Sequence, residues 1–351
     1  MEFIADYGLF LAKIITVVIA IVFVIGAIVA QSAKGKGHGS ALGSISVDNI
    51  NEQLDEYKHQ LQRAVMSEDA FKKLEKADKK AAKEKRKAEA KKAGPIKPRL
   101  FTMNFDGDVK ASAVEQLREE VTAILTVAEK TDEIMINIES PGGMVHTYGL
   151  AASQLQRIRD AGLPLTVCVD KVAASGGYLM ACVADKIIAA PFAIVGSIGV
   201  LAQIPNFNRV LKKYDVDYDV MTAGEHKAPI TMFGEITDKG RGKLKEELED
   251  THTLFKNYIS DFRPQVDIDK VATGEVWYGK RAIDQQLIDE VKTSDSYLLE
   301  KHASHDIFLV SFEEKQTLQQ KLGLAMRHSV SAVIESISNR NQAVSISKEM
   351  S

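Results

Sequence analysis

Ala173-Ala174-Ser175-Gly176-Gly177-Tyr178 joins a predicted strand to a predicted helix. The apolar run Leu165–Val169 precedes this segment, and a helix-like run over residues 179–184 follows it. A serine at such a junction points its hydroxyl out of a tight turn, while the next amide and the helix N-terminus lie beside any oxyanion that forms. Ser175 is therefore a candidate nucleophile for acyl transfer.

Short apolar segments alternate with amphipathic helices on both sides of this junction. This alternation predicts an α/β domain with a mainly parallel sheet over residues 100–305. A capping box at residues 112–115 predicts the start of one helix, and residues 306–351 predict a C-terminal extension with a strand and a helix. The other predicted elements are strands at residues 100–105, Glu133–Glu139, Leu165–Val169 and Lys186–Ala189, and helices at residues 145–159 and Asp238–Phe262.

The N-terminal residues predict a membrane anchor. After a short tip, residues 1–7, the segment 8–30 is mostly Ile, Val and Ala and reaches the roughly 20 residues that span a bilayer. Glu2 and Asp6 stand where a cleaved signal peptide carries basic residues, so we interpret the segment as a transmembrane helix. Lys13 can snorkel to the near interface.

Two further segments separate this anchor from the domain. Residues 31–50 are rich in Gly, Ser and Lys and predict a flexible tether. Residues 51–99 predict a charged, Lys-rich helical segment that ends in a linker at residues 94–98. The basic side chains of this segment either bind anionic headgroups or form a solvated helix surface, and the sequence leaves both interpretations open.

Composition bears on three further questions: nucleic-acid binding, disulfide formation and a second membrane span. The 351 residues carry a formal charge of -3, which argues against nucleic acid as the main partner. Cys168 and Cys182 lie in apolar runs and predict buried thiols rather than a disulfide. The apolar segment 187–204 is interrupted by Pro191, Gly196 and Gly199, so we interpret it as a buried core segment and not as a second span.

Four motifs, in this order and spacing, resemble the signal peptide peptidase A family of serine peptidases, in its form with one N-terminal span and one peptidase domain. The resemblance covers about residues 100–291 and includes a further pattern at residues 277–289. The motifs are Ser140-Pro141-Gly142-Gly143, Ala174-Ser175-Gly176-Gly177-Tyr178, Gly196-Ser197-Ile198-Gly199-Val200 and Gly224-Glu225-His226-Lys227.

The resemblance implies a ClpP/crotonase-like fold and a Ser-Lys dyad. Ser175 would be the nucleophile, Lys227 the general base and Ser197 the hydroxyl that holds the amine in position. Gly143 and Gly176 would donate the backbone amides of an oxyanion hole. A free lysine amine is almost entirely protonated at pH 7, so this mechanism requires Lys227 to be desolvated.

The family also implies the substrate and the setting of the reaction. Gly142 and Met144 would contact a peptide substrate with a hydrophobic segment, such as a residual signal peptide or a misfolded membrane protein. No metal or organic cofactor is implied. Relatives assemble into closed homo-oligomeric rings, and the expected location is the bacterial inner membrane, with the side of the catalytic domain left open.

Two other function classes remain as alternatives. The chain could be a membrane scaffold that keeps the peptidase fold but cleaves little, although Ser175, Lys227 and Ser197 are all present. It could also be an acyl-CoA hydratase or thioesterase on the same fold, but such enzymes seldom carry a membrane anchor, and no CoA-binding signature is evident.

Overall fold

The structure is a computed structural model that describes residues 43–90, 97–224, 227 and 230–314. The predicted anchor at residues 8–30, most of the tether and residues 315–351 lie outside these ranges. Within them, no helix combines the length and the apolar character that crossing a bilayer requires.

A seven-stranded sheet forms the centre of the domain. Its strand order is β1-β10-β2-β3-β4-β6-β9, and a smaller sheet has the order β5-β7-β8. The strands of the described residues are β1 (Gly43–Asn49), β2 (Arg99–Asp106), β3 (Glu133–Glu139), β4 (Leu165–Val169), β5 (Val172–Ala174), β6 (Lys186–Ala189), β7 (Ile194–Gly196), β8 (Val276–Tyr278), β9 (Glu290–Val291) and β10 (Asp306–Glu314).

Helices flank both faces of the large sheet. Those in the described residues are α1 (Ile50–Val65), α2 (Glu68–Ala90), α3 (Val114–Val127), α4 (Val145–Asp160), α5 (Gly176–Ala181), α6 (Asn208–Lys213), α7 (Asp238–Phe262), α8 (Ile268–Val271), α9 (Gly279–Ala282) and α10 (Ser294–His302). This α/β architecture agrees with the sequence prediction.

The central strands are buried on both faces because helices cover both. Ile134 and Val167 belong to the large core cluster that also contains side chains of α3 and α4. Met135 and Cys168, which alternate with them, point to the other face and pack with Tyr297 of α10. All five residues of β4 are buried. A doubly covered parallel strand therefore appears in the sequence as a continuous apolar run.

Strand pairing in the large sheet is mainly parallel. Neighbours β10-β2, β2-β3, β3-β4, β4-β6 and β6-β9 all run parallel. The predicted bounds of β3, β4 and β6 match the structure, and β2 extends by one residue at each end of the predicted strand. The sequence prediction of a parallel sheet is thus confirmed.

The structure differs from the sequence expectations near both ends of the domain. Gly43–Asn49, expected as part of a flexible tether, forms the edge strand β1. Asp306–Glu314, expected in a separate extension, forms β10 inside the main sheet. The charged helical segment breaks at residues 66–67 into α1 and α2. Pairing with a distant strand therefore overrides the local composition of β1, whereas β10 is the strand expected after residue 306, now placed inside the main sheet.

The apolar segment 187–204 contributes to both sheets. It contains most of β6 in the large sheet and all of β7, which pairs in parallel with β5 and antiparallel with β8 in the small sheet. Val195 and Ile198 are fully buried. The interpretation as protein core is confirmed for most of residues 187–198, whereas Phe192, Leu201 and Ile204 are exposed.

The predicted capping box at the start of α3 is wrong. The helix begins at Val114, and its N-cap residue, Ala113, makes no side-chain cap. The Ser112 hydroxyl instead donates to Asp108 Oδ2 at 2.8 Å. The turn that precedes the helix therefore uses the serine for its own closure.

Candidate active site

Ser175 occupies the sharp turn between β5 and α5. Its backbone has φ 52° and ψ -117°, a conformation that residues other than glycine rarely adopt. Although Ser175 holds the N-cap position of α5, its side chain accepts no hydrogen bond from the helix. The hydroxyl is thus not used as a helix cap, and the strained turn presents it at the edge of the small sheet.

Ser197 lies next to Ser175 across the small sheet. The register pairs Ala174 with Gly196, which end two adjacent parallel strands, and each serine directly follows one of them. The amide of Ser175 donates to the carbonyl of Gly196 at 2.8 Å, and the amide of Ser197 donates to the carbonyl of Glu275 at 2.6 Å. Ser197 also has a positive φ, 50°. The structure therefore brings these two predicted site residues together.

The turn at residues 140–143 is bound to the strand that leads to Ser175. The amide of Ser140 donates to Val172 O at 2.8 Å, and the amide of Ala174 donates to Ser140 O at 2.9 Å. Gly142 has φ 90°, and a Cβ at this position would lie 2.7 Å from Ser175 Cβ. Only glycine therefore allows the turn to pack this closely against the candidate nucleophile.

A chain of hydrogen bonds through Tyr148 of α4 fixes the turn at residues 140–143. Tyr148 Oη donates to the carbonyl of Asp108 at 2.8 Å, so Ser140 Oγ is the donor in its 2.6 Å bond to Tyr148 Oη. The amide of Gly142 in turn donates to Ser140 Oγ at 3.1 Å. Burial raises the pKa of Tyr148, which keeps the phenol protonated as a donor. Sequence reasoning missed Tyr148, whose signal was its place on the apolar face of α4.

Gly143 and Gly176 face the same pocket as Ser175. Within the described residues, the amide of neither glycine donates to a protein acceptor. A Cβ would lie 2.1 Å from Val109 O at Gly143 and 2.4 Å from Tyr148 Cγ at Gly176. Neither position therefore has room for a side chain, and both amides lack a protein acceptor among the described residues.

The pocket beside Ser175 is mostly apolar and has a volume of about 180 Å³. Its far wall comes from α7, a helix that no sequence pattern places near Ser175. Leu254 stands at the rim with 64 % of its surface exposed. The lining residues are Gly143, Val145, Tyr148, Gly149, Ser175, Gly176, Leu179, Gly199, Val200, Thr251, Leu254, Phe255 and Tyr258.

Lys227 and Met144 are not among the residues that line this pocket. Lys227 is exposed and lines a different cleft, of about 250 Å³, together with Tyr218 and Glu235. Met144 is 44 % exposed, and its amide donates to Val109 O at 2.8 Å. Within one copy of the chain, the described structure therefore brings Ser175, Ser197, Gly142, Gly143 and Gly176 together and leaves Lys227 outside the group.

Buried polar contacts fix the helix that follows Ser175. Tyr178 Oη donates to Leu287 O at 2.9 Å inside the core. Arg263, 2 % exposed, forms an ion pair with Asp289 at 2.8 Å, and Asp289 also accepts from the amide of Ile187 at 2.7 Å. The segment 286–289 thus links α5, α7 and β6, and it holds the start of α5 in place behind Ser175.

Two family models match the chain over almost the whole domain. The first, peptidase family S49 N-terminal, matches residues 2–155. The second, peptidase family S49, matches residues 157–307. The four glycine-rich motifs fall within these two ranges.

Several named proteins are similar to the chain. A probable protease SohB of Haemophilus influenzae is 46% identical over 346 residues, which are 97% of each chain. A probable protease SohB of Buchnera aphidicola is 42% identical over 311 residues, covering 86% of this chain and 100% of that protein. Among solved structures, a single-residue mutant of the 1510-N membrane-bound stomatin-specific protease has a TM-score of 0.39 and 16% identity, covering 59% of this chain and 85% of that one.

Proposed function

The chain belongs to peptidase family S49, as its motifs predict, and from this membership we propose that it is a serine endopeptidase with Ser175 as its nucleophile. One observation carries the proposal. Ser175 sits in a strained strand-to-helix turn, its side chain does not cap the helix, and it opens onto an apolar pocket beside two amides that have no acceptor among the described residues. This combination supports nucleophilic attack on a peptide carbonyl.

The amides of Gly143 and Gly176 stabilise the oxyanion of the tetrahedral intermediate. Each such donor contributes about 3 to 4 kcal/mol where it has been removed from other hydrolases. Gly143 packs so closely against Val109, and Gly176 against Tyr148, that neither position has room for a Cβ. Because both are fixed before substrate binds, the donors need no reorganisation during the reaction.

The reaction follows the usual two steps of acyl transfer. Ser175 Oγ attacks the carbonyl carbon while its proton passes to the neutral amine of Lys227. The protonated amine then donates to the leaving nitrogen, and the acyl-enzyme forms. Water, deprotonated by the same amine, attacks the ester and releases the second peptide, and the proton returns to Ser175. Ser197 holds the amine in line with Ser175.

The amine of Lys227 reaches Ser175 from a neighbouring copy in a closed ring. Its exposure in one copy and its place in a separate cleft support a site that is completed by assembly. The segment that leads to Lys227 also presents large apolar side chains to solvent: Leu201 is 76% exposed, Tyr214 70% and Met221 92%. Burial of these side chains between copies would stabilise the ring and desolvate the amine of Lys227.

Mixing two inactive variants tests this arrangement. Ser175→Ala and Lys227→Ala are co-expressed, and peptide cleavage by the mixed oligomer is compared with cleavage by each variant alone. A shared site predicts that about a quarter of the sites in an equal mixture regain activity, because an intact serine then meets an intact lysine. Cleavage no higher than in the separate variants contradicts a site shared between copies.

The peptidase acts at the bacterial inner membrane on hydrophobic segments. The apolar run at residues 8–30 supports anchoring, and the apolar pocket beside Ser175 supports side chains of the kind found in residual signal peptides and misfolded membrane proteins. Labelling of engineered cysteines at Ser44 and Ser351 from outside intact cells determines the side. Failure of the chain to fractionate with membranes contradicts the anchor.

A fluorophosphonate probe separates this proposal from a scaffold that cleaves little. Assembled wild-type protein should be labelled, and Ser175→Ala should not. Ser153→Ala is the matched control because Ser153 is an exposed hydroxyl on α4 that donates to Gly149 O. Unlabelled wild type in its assembled form would favour the scaffold.

A further inference from the structure

One face of α4 borders the pocket beside Ser175. Val145, Tyr148 and Gly149 all line it, and their spacing of three and four residues places them on the same side of the helix. The side chains of Val145 and Tyr148 occupy that face, whereas Gly149 leaves a gap between them and the next turn.

The glycine at this position has no backbone reason to be there. Its φ is not positive, and it lies in the interior of a helix, where glycine is less favourable than alanine. A Cβ at Gly149 would meet no heavy atom within 4 Å. At Gly143 and Gly176, by contrast, an added Cβ would collide with atoms 2.1 and 2.4 Å away. Gly149 therefore differs from the glycines that the fold requires, and what its missing side chain provides is space.

The whole pocket, to which Gly149 contributes part of one wall, has the size of one large apolar side chain. The pocket volume is about 180 Å³, and engineered apolar cavities of about 150 Å³ bind benzene. Across from Gly149, the wall is formed by Phe255 and Tyr258 of α7, with Leu254 at the rim. Among the described residues, no charged side chain lines the pocket, so a charged substrate side chain would lose its hydration without finding a partner.

We propose that Gly149 is a specificity-determining residue, which opens the pocket to a leucine- or phenylalanine-sized side chain immediately before the scissile bond. The proposal rests on Ser175 being the nucleophile. It assigns the substrate a large apolar residue at that position. It also assigns to α4 the wall that limits the size of the side chain the pocket accepts.

Peptide cleavage by the full-length protein in detergent tests the assignment. The substrates differ only in the residue before the scissile bond, which is Ala, Leu or Phe. Gly149→Ala should lower the ratio of kcat/KM for Phe over Ala about tenfold, since one methylene in an apolar pocket changes discrimination by about that factor or more. Gly149→Leu should lower it further. Cleavage after Ala should persist in both variants.

Gly242→Ala is the matched control. Gly242 is an exposed helical glycine of α7 whose added Cβ also meets nothing within 4 Å, and it does not line the pocket. Its substitution should leave the Phe-to-Ala ratio unchanged.

Labelling of Ser175 by a fluorophosphonate separates failure of this assignment from failure of the proposed function. Labelled variants that cleave with the wild-type ratio, or that lose all three substrates equally, overturn the role of Gly149. Wild type that is neither labelled nor active overturns the nucleophile and the assignment together.

Discussion

Ser175 and Ser197 leave neighbouring parallel strands with nearly the same positive φ, 52° and 50°. Their preceding residues, Ala174 and Gly196, are paired in register, and the amide of Ser175 donates to Gly196 O. Two strained serines side by side are held by the small sheet, and strain of this kind is concentrated at functional sites. The relationship ties the proposed nucleophile, Ser175, and Ser197 to the same sheet.

Replacing Ser197 should lower catalysis and leave the fold intact. In the proposed mechanism Ser197 accepts a hydrogen bond from the ammonium that Lys227 becomes as it takes the proton, and removal of such a bond corresponds to about 10- to 100-fold in rate. Ser197→Gly should lose kcat by that factor while keeping the positive φ without strain, and Ser197→Ala should lose it with some destabilisation. Steady-state kinetics and thermal unfolding measure the two effects. Unchanged kcat in Ser197→Gly would remove Ser197 from the mechanism.

Gly142→Ala should abolish cleavage because the new Cβ would lie 2.7 Å from Ser175 Cβ. Gly162→Ala is the matched control, since Gly162 also has a positive φ, 74°, but open space at its Cβ. That control should lose about 1 kcal/mol of stability from backbone strain and keep its activity. Equal activities of the two variants would mean that the turn at residues 140–143 does not need to approach Ser175.

Tyr148→Phe should weaken both the turn and the catalytic rate. The substitution leaves the Ser140 hydroxyl and the Asp108 carbonyl without their shared partner, which destabilises a partly buried site by about 1 to 3 kcal/mol. Tyr57→Phe serves as the control, because Tyr57 is an exposed tyrosine that accepts one bond from Gln53. Tyr148→Phe should lower both kcat/KM and the free energy of unfolding measured by chemical denaturation. Tyr57→Phe should change neither. An unaffected Tyr148→Phe would show that the hydrogen-bond chain does not position Gly142.

Glu120→Gln should stabilise the protein increasingly as the pH rises. Burial raises the pKa of Glu120, although the amide of Phe312 donates to its carboxylate at 2.9 Å and opposes the shift. The folded state therefore favours the protonated form of Glu120. This preference stabilises the fold at low pH, and the stabilisation is lost as the pH rises through the raised pKa. Glutamine keeps the acceptor oxygen without the buried charge. The difference in Tm between variant and wild type should grow from about pH 4 to about pH 8, and a constant difference would contradict this origin.

Elements whose burial is strong and local were predictable from the sequence. Strands β3, β4 and β6 are mostly apolar runs because both faces are covered, and α7 is long and amphipathic, so their bounds could be predicted. The three-residue strands of the small sheet could not, since three residues are too short for a periodic pattern. Strand β1 was hidden by a Gly- and Ser-rich composition that only its distant partner overrides.

The candidate site likewise contains residues that the sequence predicted and residues that it could not predict. The resemblance to a known family implied Ser175, Ser197 and the three glycines beside them as site residues, and the structure places these five residues near one another. The pocket wall from α7, with Phe255 and Tyr258, depends on a tertiary contact between segments far apart in the chain. The proposed approach of Lys227 to Ser175 depends on contacts between copies, which no local pattern encodes.

Strand order has a consequence for biosynthesis. β1 is the first of the described strands to leave the ribosome, yet its neighbour in the sheet is β10, the last of them to be translated. Until β10 inserts between β1 and β2, both of these strands expose an open edge to the nascent chain's surroundings. The sheet is therefore completed only after β10 has been translated, so a product truncated before β10 would keep two open strand edges.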